Sequence, residues 1–576
     1  SSSSSSSSSS NTGGKSSKHI LLVSLPFRGH AIPLVRLGTE LIARGNRVSV
    51  AIHEEGKGYF NQTGITVHSL GVQPFSKQEL ELRLKDISGM SNFAGILALI
   101  RNIYVPHLSS LKSNLAHIVQ AQKPDALVID VGAIGAIDIA IANKLPYIVN
   151  NPSLLLHLDG PPSYIPASGS GYRLSMTPLE KCLSLLYPKL LSVLLGPSLI
   201  GVCEQDLLQA IPEQDPEDSS VQQTSISTYK QNALFPATPM LVNTAFGFEY
   251  PVPLSPLVKL TGPLLPKELP PLSSSLATWL QVSSKPVVVV LFPEGSMSYL
   301  QLAQVKALAG GLTDTRFRVL WAIRKEDKKA LRESGSFPCS GKSCSSQFQF
   351  RSNLVPLPVL SHSHVRVVVS PCGPSHAQEA LAFGKPLLCI PILANQFDVA
   401  ARVLDAGAGL VLDKAELTAE EVGRAVATLQ RNSTYRNAAE QVRGIMAVSG
   451  GVTAAAIAVE AVASNGHLHL VPAEFNLPWH KAYHLDLFLA FAAVVFLMTV
   501  FLRGLWLVGC FLSYHLVAQL LALQDSQQQQ PKLFKRFQDP SGAPSPAPSS
   551  AEADAPQACQ DSKTSTAAAQ SSKKSQ

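Results

Sequence analysis

The chain has 576 residues, of which 45% are hydrophobic and 15% charged, with a formal net charge of +7. A typical soluble chain carries roughly 25% charged residues, so this one is too apolar to be mostly disordered and is expected to touch a membrane. No dense Lys/Arg stripe runs through the body, which argues against a nucleic-acid partner. Eight Cys in this length are too few for a disulfide scaffold. Cys339 and Cys344 are close in sequence but lack companion ligands at zinc spacing, so no metal site is expected.

Residues 1–17 form a Ser-rich polar run that reads as a disordered tail, with no visible signal-peptide pattern. The body opens with His19 to Ser24, a short apolar run of the kind found in parallel strands buried on both faces. A loop, Leu25 to His30, is expected to lead into a helix from about Ile32 to Ala43 that stops at Gly45. Arg47 to Ile52 reads as a second strand, and Ala126 to Asp130 as another, followed by a helix (Gly135 to Asn143) and a strand (Tyr147 to Asn150). This alternation predicts a doubly wound α/β domain over 18–250. Within it, 174–214 is apolar and interrupted by Pro188 and Pro197. It reads either as short helices packed over the sheet or as an apolar acceptor wall.

A Pro-rich stretch from Pro251 to Pro271 marks a linker, taken as 251–285. A second α/β set follows over 286–484, with strands at Pro286 to Phe292, Arg318 to Ile323, Val365 to Ser370 and Leu387 to Ile392, and a helix at Leu300 to Gly311. Two such halves leave a cleft, and ligands of open α/β sheets bind outside the carboxyl ends of the strands.

Four segments then carry a family likeness. They are Pro26-Phe27-Arg28-Gly29-His30-Ala31-Ile32-Pro33; Leu241-Val242-Asn243-Thr244 leading to Gly262-Pro263-Leu264; Ser370 to Leu381 with Gly384-Lys385-Pro386-Leu387 and Ile390 to Gln396; and Asn476 to His480 with Tyr483 to Asp486. In order and spacing, from about Lys18 to Leu502, the chain resembles UDP-sugar-dependent glycosyltransferases of the GT-B fold. Its closest likeness is to the membrane-anchored animal UDP-glucuronosyltransferase-like branch. The resemblance implies two Rossmann-like domains facing a cleft, UDP-sugar as donor substrate, and no metal or other cofactor.

Displacement of UDP by an acceptor hydroxyl needs a base. His30, at the cleft edge after the first strand, titrates near neutral pH and fits that role. Asp130, at the carboxyl end of another strand, is the candidate partner that orients it, as the family's matching pair does. Asp138 is a competitor inside a predicted helix.

On the donor side, the loop Pro371 to Ser375 leads into a helix whose N-terminus is suited to a pyrophosphate, with Gly373 allowing close approach. By resemblance, Glu379 accepts ribose hydroxyls, and Asn395 and Gln396 stand where an Asp-Gln pair bonds the sugar. Gly295 and Ser296 resemble a phosphate-side turn, with an insertion at Pro293-Glu294. The signature is altered in several places. The family's phosphate-contacting His is Pro371, its Asn is Ser375, and the aromatic residue expected near Asn353 or Leu354 is missing. His376 is placed to supply the lost phosphate contact.

Leu487 to Leu502 is uncharged, and a span of about 20 residues is reached near Leu507 if Arg503 snorkels. The membrane segment is set at 485–512, with a hairpin through Ser513 to Leu523 as the alternative. Lys532, Lys535 and Arg536 follow it, so the tail 524–576, polar and disordered in composition, is expected in the cytosol. The catalytic body is then expected in the lumen of the endoplasmic reticulum, with a signal peptide already removed. Asn61-Gln62-Thr63 and Asn432-Ser433-Thr434 are permitted glycosylation sequons. The resulting expectation is an inverting transferase that moves a hexosyl group from UDP to a hydroxyl of a lipophilic acceptor, possible as a homo-oligomer. The competing expectations are a non-catalytic binding or regulatory protein of the same fold and a sugar-nucleotide epimerase.

Overall fold

The computed structural model describes residues 17–156, 162–210, 238–292, 296–314, 316–335, 337–338, 346–352, 354–473, 478–482 and 484–534. The rest of the Ser-rich tail, the tail beyond 534, the 293–295 insertion, Asn353, Cys339, Cys344, Asn476 and Leu477 lie outside these. The chain divides into two compact units, Ser1–Asn476 and Leu477–Gln576.

The first unit contains two parallel sheets. Strands β1 (His19–Val23), β2 (Arg47–Ile52), β3 (Thr66–Ser69), β4 (Ala126–Asp130), β5 (Tyr147–Asn151), β6 (Met240–Val242) and β7 (Val258–Leu260) form one, in the order β3-β2-β1-β4-β5-β6-β7. Strands β8 (Val287–Leu291), β9 (Arg318–Ala322), β10 (Phe348–Arg351), β11 (Val365–Ser370), β12 (Leu387–Cys389) and β13 (Gly409–Val411) form the other, in the order β10-β9-β8-β11-β12-β13. Chain order reverses between β1 and β4 in the first sheet and between β8 and β11 in the second. A crevice opens at such switch points. Central strands such as β1, β4 and β8 are buried along their whole length, which is why they read as continuous apolar runs rather than alternating ones.

Several elements differ from the sequence expectation. The first helix runs Arg28–Ala43, so it starts four residues before Ile32. The carbonyl of Phe27 accepts from the N–H groups of His30 and Ala31 at 3.0 and 2.9 Å and starts the helix there. His30 therefore sits in a first helical turn, not on a loop. The apolar stretch expected as short helices is one helix, Pro178–Ala210, running through Pro188 and Pro197. The Pro-rich 251–285 stretch is not only a connection. Its three residues Val258–Leu260 are an edge strand of the first sheet, and the helix Ser274–Gln281 buries Leu276, Trp279 and Leu280 against the second. The helix Gly451–Asn465, late in the chain, returns to the first lobe. Its Ala455, Ala456, Val459 and Val462 share a core with Ile20, Leu22, Leu34 and Leu37.

Buried ion pairs tie the lobes. Arg402 meets Glu249 at 2.6 Å, both almost fully enclosed. The Glu249 carboxylate also accepts from the Leu155 N–H at 2.9 Å. Asp398 accepts from the N–H groups of Gly169 and Gly171 at 2.5 and 2.7 Å, and burial pushes its carboxyl above the ordinary range. These contacts give the Gly247 to Tyr250 segment and the helix Gln396–Asp405 a shared structural task.

The second unit is dominated by a continuous helix, Leu485–Phe534. Its apolar part, Leu485–Gln527, is 43 residues long. At 1.5 Å per residue this is about 65 Å, roughly twice the ~30 Å hydrocarbon core of a bilayer. No turn interrupts it at Ser513, so the hairpin is not formed, and the helix extends well past the expected end at 512. Its large apolar side chains, Leu487 through Leu523, are exposed.

Candidate active site

The pairing of β1 with β4 brings residues 100 positions apart to one sheet end. His30 follows β1 and Asp130 ends β4. His30 Nδ1 donates to Asp130 at 2.8 Å (Oδ2) and 3.0 Å (Oδ1). Asp130 is fully buried and also accepts from the Gly132 N–H at 3.1 Å. That fixes the imidazole orientation and its tautomer, making Nε2 the nitrogen that can accept a proton. Burial works against the imidazolium, but the Asp130 charge and hydrogen bond outweigh it, and the net pKa of His30 lies above the usual histidine value.

Nε2 faces the hydroxyl of Tyr104 at 3.3 Å, with the two rings edge to face. Tyr104 ends a π-helical turn, Ile100–Tyr104, a distortion found often at functional sites. Burial, then the nearby Asp130 charge, raises its phenol pKa well above normal, so it stays a hydroxyl. Nothing in the sequence links Tyr104 to His30, 74 positions away. Asp138, the competitor, is engaged elsewhere: it pairs with Lys112 at 2.9 Å.

A cavity of about 260 Å³ opens at the β8/β11 switch point. Leu291 and Phe292 at the end of β8, Arg324 after β9, Leu354 to Pro356 after β10, Met297 and His376 line it, and Arg28 enters from the first lobe. Gly373 caps the helix Pro374–Ala382, and a Cβ built on it would meet nothing within 4 Å. The residue before it, Cys372, holds a left-handed φ of 59° and is disulfide-bonded to Cys389 at the end of β12.

The two lobes approach closely here. A Cβ on Gly29 would stand 3.9 Å from Ser375 Oγ. His376 lines the cavity and is held below the usual histidine pKa by burial; Glu379 opposes this, while Arg28 and Arg36 add to it. Ser296 is buried in the 3₁₀ turn Ser296–Tyr299, beside the lining Met297.

Other donor-side residues have protein partners. Glu379 Oε1 accepts from Arg36 at 2.6 Å. Asn395 donates to Ser153 Oγ at 3.0 Å, and Gln396 Oε1 accepts from the N–H groups of Ile392 and Leu393 at 2.8 and 3.2 Å. Neither Asn395 nor Gln396 lines the cavity. Sequence reasoning missed Arg28, Arg36 and Tyr104. Only Arg28 had a local signal, its place two residues before His30. Among the described residues no group of three or more His, Cys, Asp or Glu could hold a metal ion.

Comparison with known proteins decides the class. Residues 157–517 match the family model described as UDP-glucoronosyl and UDP-glucosyl transferase. The chain belongs to that family. It is therefore a glycosyltransferase that takes its sugar from a nucleotide donor. A UDP-glycosyltransferase of Talaromyces amestolkiae is 26% identical over 81% of this chain and 92% of its own length. UDP-glucuronosyltransferase 3A1 of Xenopus laevis is 26% identical over 45% of this chain, a match spanning 48% of the frog protein. The fold is shared with solved glycosyltransferases. VinC, solved in complex with dTDP, covers 78% of this chain and all of its own at 17% identity, with a TM-score of 0.51. The rhamnosyltransferase SpnG aligns over 77% of this chain and 99% of its own at 16% identity, also with a TM-score of 0.51. The family match supports a transferase over the epimerase reading. The family match begins at residue 157, so it does not include His30 or Asp130.

Proposed function

We propose that this transferase inverts configuration, moving a hexosyl group from UDP to a hydroxyl on a lipophilic small molecule. His30 is the base that takes the proton from the acceptor hydroxyl as oxygen attacks the anomeric carbon and UDP departs. Asp130 holds the imidazole and stabilises its protonated form. The His30–Asp130 hydrogen bond at the first switch point carries this reading. The pyrophosphate would meet the N-terminus of the helix Pro374–Ala382, with Gly373, Ser375, His376 and Ser296 around it. The ribose would meet Glu379, and the sugar the Asn395–Gln396 corner. No metal is assigned a role, because the helix N-terminus and nearby cations supply the positive potential.

The apolar helix Leu485–Gln527 supports anchoring in a membrane. The basic residues that follow this helix, Lys532, Lys535 and Arg536, support a single-pass arrangement with a cytosolic tail and the lobes on the luminal side. The exposed Leu179, Leu183, Leu186 and Leu190 on the helix Pro178–Ala210 suit an acceptor that partitions into lipid. The decisive test is UDP release from UDP-hexoses over a panel of lipophilic alcohols, comparing the full chain with His30→Ala. Turnover that is unchanged in that variant would defeat the assignment of the base.

A further inference from the structure

The donor loop Pro371 to Ser375 carries no basic side chain. A pyrophosphate still needs charge compensation. The cavity at the second switch point has two guanidinium groups. Arg324 is committed, bonded to Asp327 at 2.9 Å and to Glu81 at 2.8 Å. Arg28 makes no hydrogen bond or ion pair among the described residues, though it is only partly exposed. It is also the cavity's one lining residue from the first lobe. It lines the cavity together with Met297, the tip of β8 and His376, whose imidazolium its charge opposes, and a Cβ on its neighbour Gly29 would stand 3.9 Å from Ser375 Oγ in the first turn of the helix Pro374–Ala382. That side chain is planar, permanently charged and able to bond two phosphate oxygens at once.

We propose that Arg28 clamps the pyrophosphate of the nucleotide sugar from the opposite lobe, supplying the charge that the donor loop does not carry. The inference rests on the donor site assigned above and deepens it. It makes the bound donor a bridge: His30 follows a strand of the first sheet, the cavity opens beyond strands of the second, and the phosphates join them through the residue two places before His30. The clamp also places the leaving group's charge beside the segment that carries the base.

Calorimetric titration of the detergent-solubilised full chain with UDP and, separately, with uridine tests this. Arg28→Ala is expected to weaken UDP at least tenfold and leave uridine unchanged, with Arg28→Lys between the wild type and Ala. UDP affinity within twofold of wild type in Arg28→Ala overturns the clamp. So does an equal loss of UDP and uridine, which marks a structural role. If the wild-type chain itself binds no UDP, the donor-site reading fails first and the clamp falls with it.

Discussion

Arg36 on the first helix and Glu379 on the donor-side helix are 343 positions apart, yet their side chains meet at 2.6 Å across the gap between the lobes. Both are largely buried, and Arg36 also donates to the carbonyl of Leu264 at 3.0 Å. A carboxylate has about four lone-pair sites, so this contact orients Glu379 and leaves its second oxygen for a ribose hydroxyl. Losing a charge-assisted bond costs about 1.5–3 kcal/mol. Glu379→Gln is therefore expected to weaken UDP and uridine alike by roughly ten- to a hundredfold, because both ligands carry the ribose. Equal affinity for uridine in the variant and the wild type would remove Glu379 from the ribose site. The contrast with Arg28, whose loss should spare uridine, separates the two assignments in one set of titrations.

The raised pKa of His30 sets a pH profile. In the proposed mechanism neutral imidazole is the base, so kcat/KM should rise with pH through a limb above the usual histidine pKa of about 6.5. In Asp130→Asn the opposing charge is gone and burial dominates, so that limb should move to lower pH while the plateau drops. A histidine whose folded pKa is raised contributes stability that is fully present below its unfolded pKa and is lost as pH rises through the folded pKa. Melting of the wild type should therefore lose this contribution as pH rises above about 6.5 and through the raised pKa, and His30→Ala should flatten the loss. General-base catalysis is worth about 10²–10⁴-fold, the fall in kcat expected for His30→Ala.

Tyr104 occupies the position on Nε2 that an acceptor hydroxyl must take. Tyr104→Phe removes the resting hydrogen bond, worth about 0.5–1.5 kcal/mol net. Acceptor KM should fall about two- to tenfold with donor KM unchanged. A higher acceptor KM in the variant would mean that the phenol helps to hold the acceptor.

The Cys372–Cys389 disulfide joins the ends of β11 and β12 just before the donor-side helix. It closes a loop with a sequence separation of 17, for which chain entropy predicts about 3 kcal/mol of stabilisation. Reduction, or Cys389→Ser, should lower the melting temperature and weaken UDP. Saturating UDP should restore part of the lost stability, since a ligand that binds only the folded state stabilises it. Unaltered UDP affinity after complete reduction, verified by thiol titration, would limit the bond to a structural role.

Much of this architecture can be read from the residues. Strands β1, β4 and β8 are largely apolar because both faces are covered, and that signal survives without any tertiary knowledge. His30 and Asp130 could be paired in advance because each stands at a strand end on the same sheet. The remainder depended on contacts that carry no local mark. The entry into the first helix was set by the Phe27 carbonyl. Val258–Leu260 is a strand only because β6 is beside it. The Ala-rich segment Gly451–Asn465 reads as a helix but gives no hint of which sheet it covers. Tyr104 reaches the base through a π-helical turn that periodicity does not predict. Pro188 and Pro197, which suggested broken helices, lie within a single one.

The return of Gly451–Asn465 to the first sheet means that the first lobe is not a continuous piece of chain. The late helix also binds that lobe by charge: Arg44 and Asn46 both hold Glu460, at 2.8 Å each. A hybrid assembled by exchanging everything before residue 251 with a relative would force a foreign helix onto a native sheet. Recombination of substrate preferences therefore has to carry residues 451–465 together with the amino-terminal half, as a discontinuous graft.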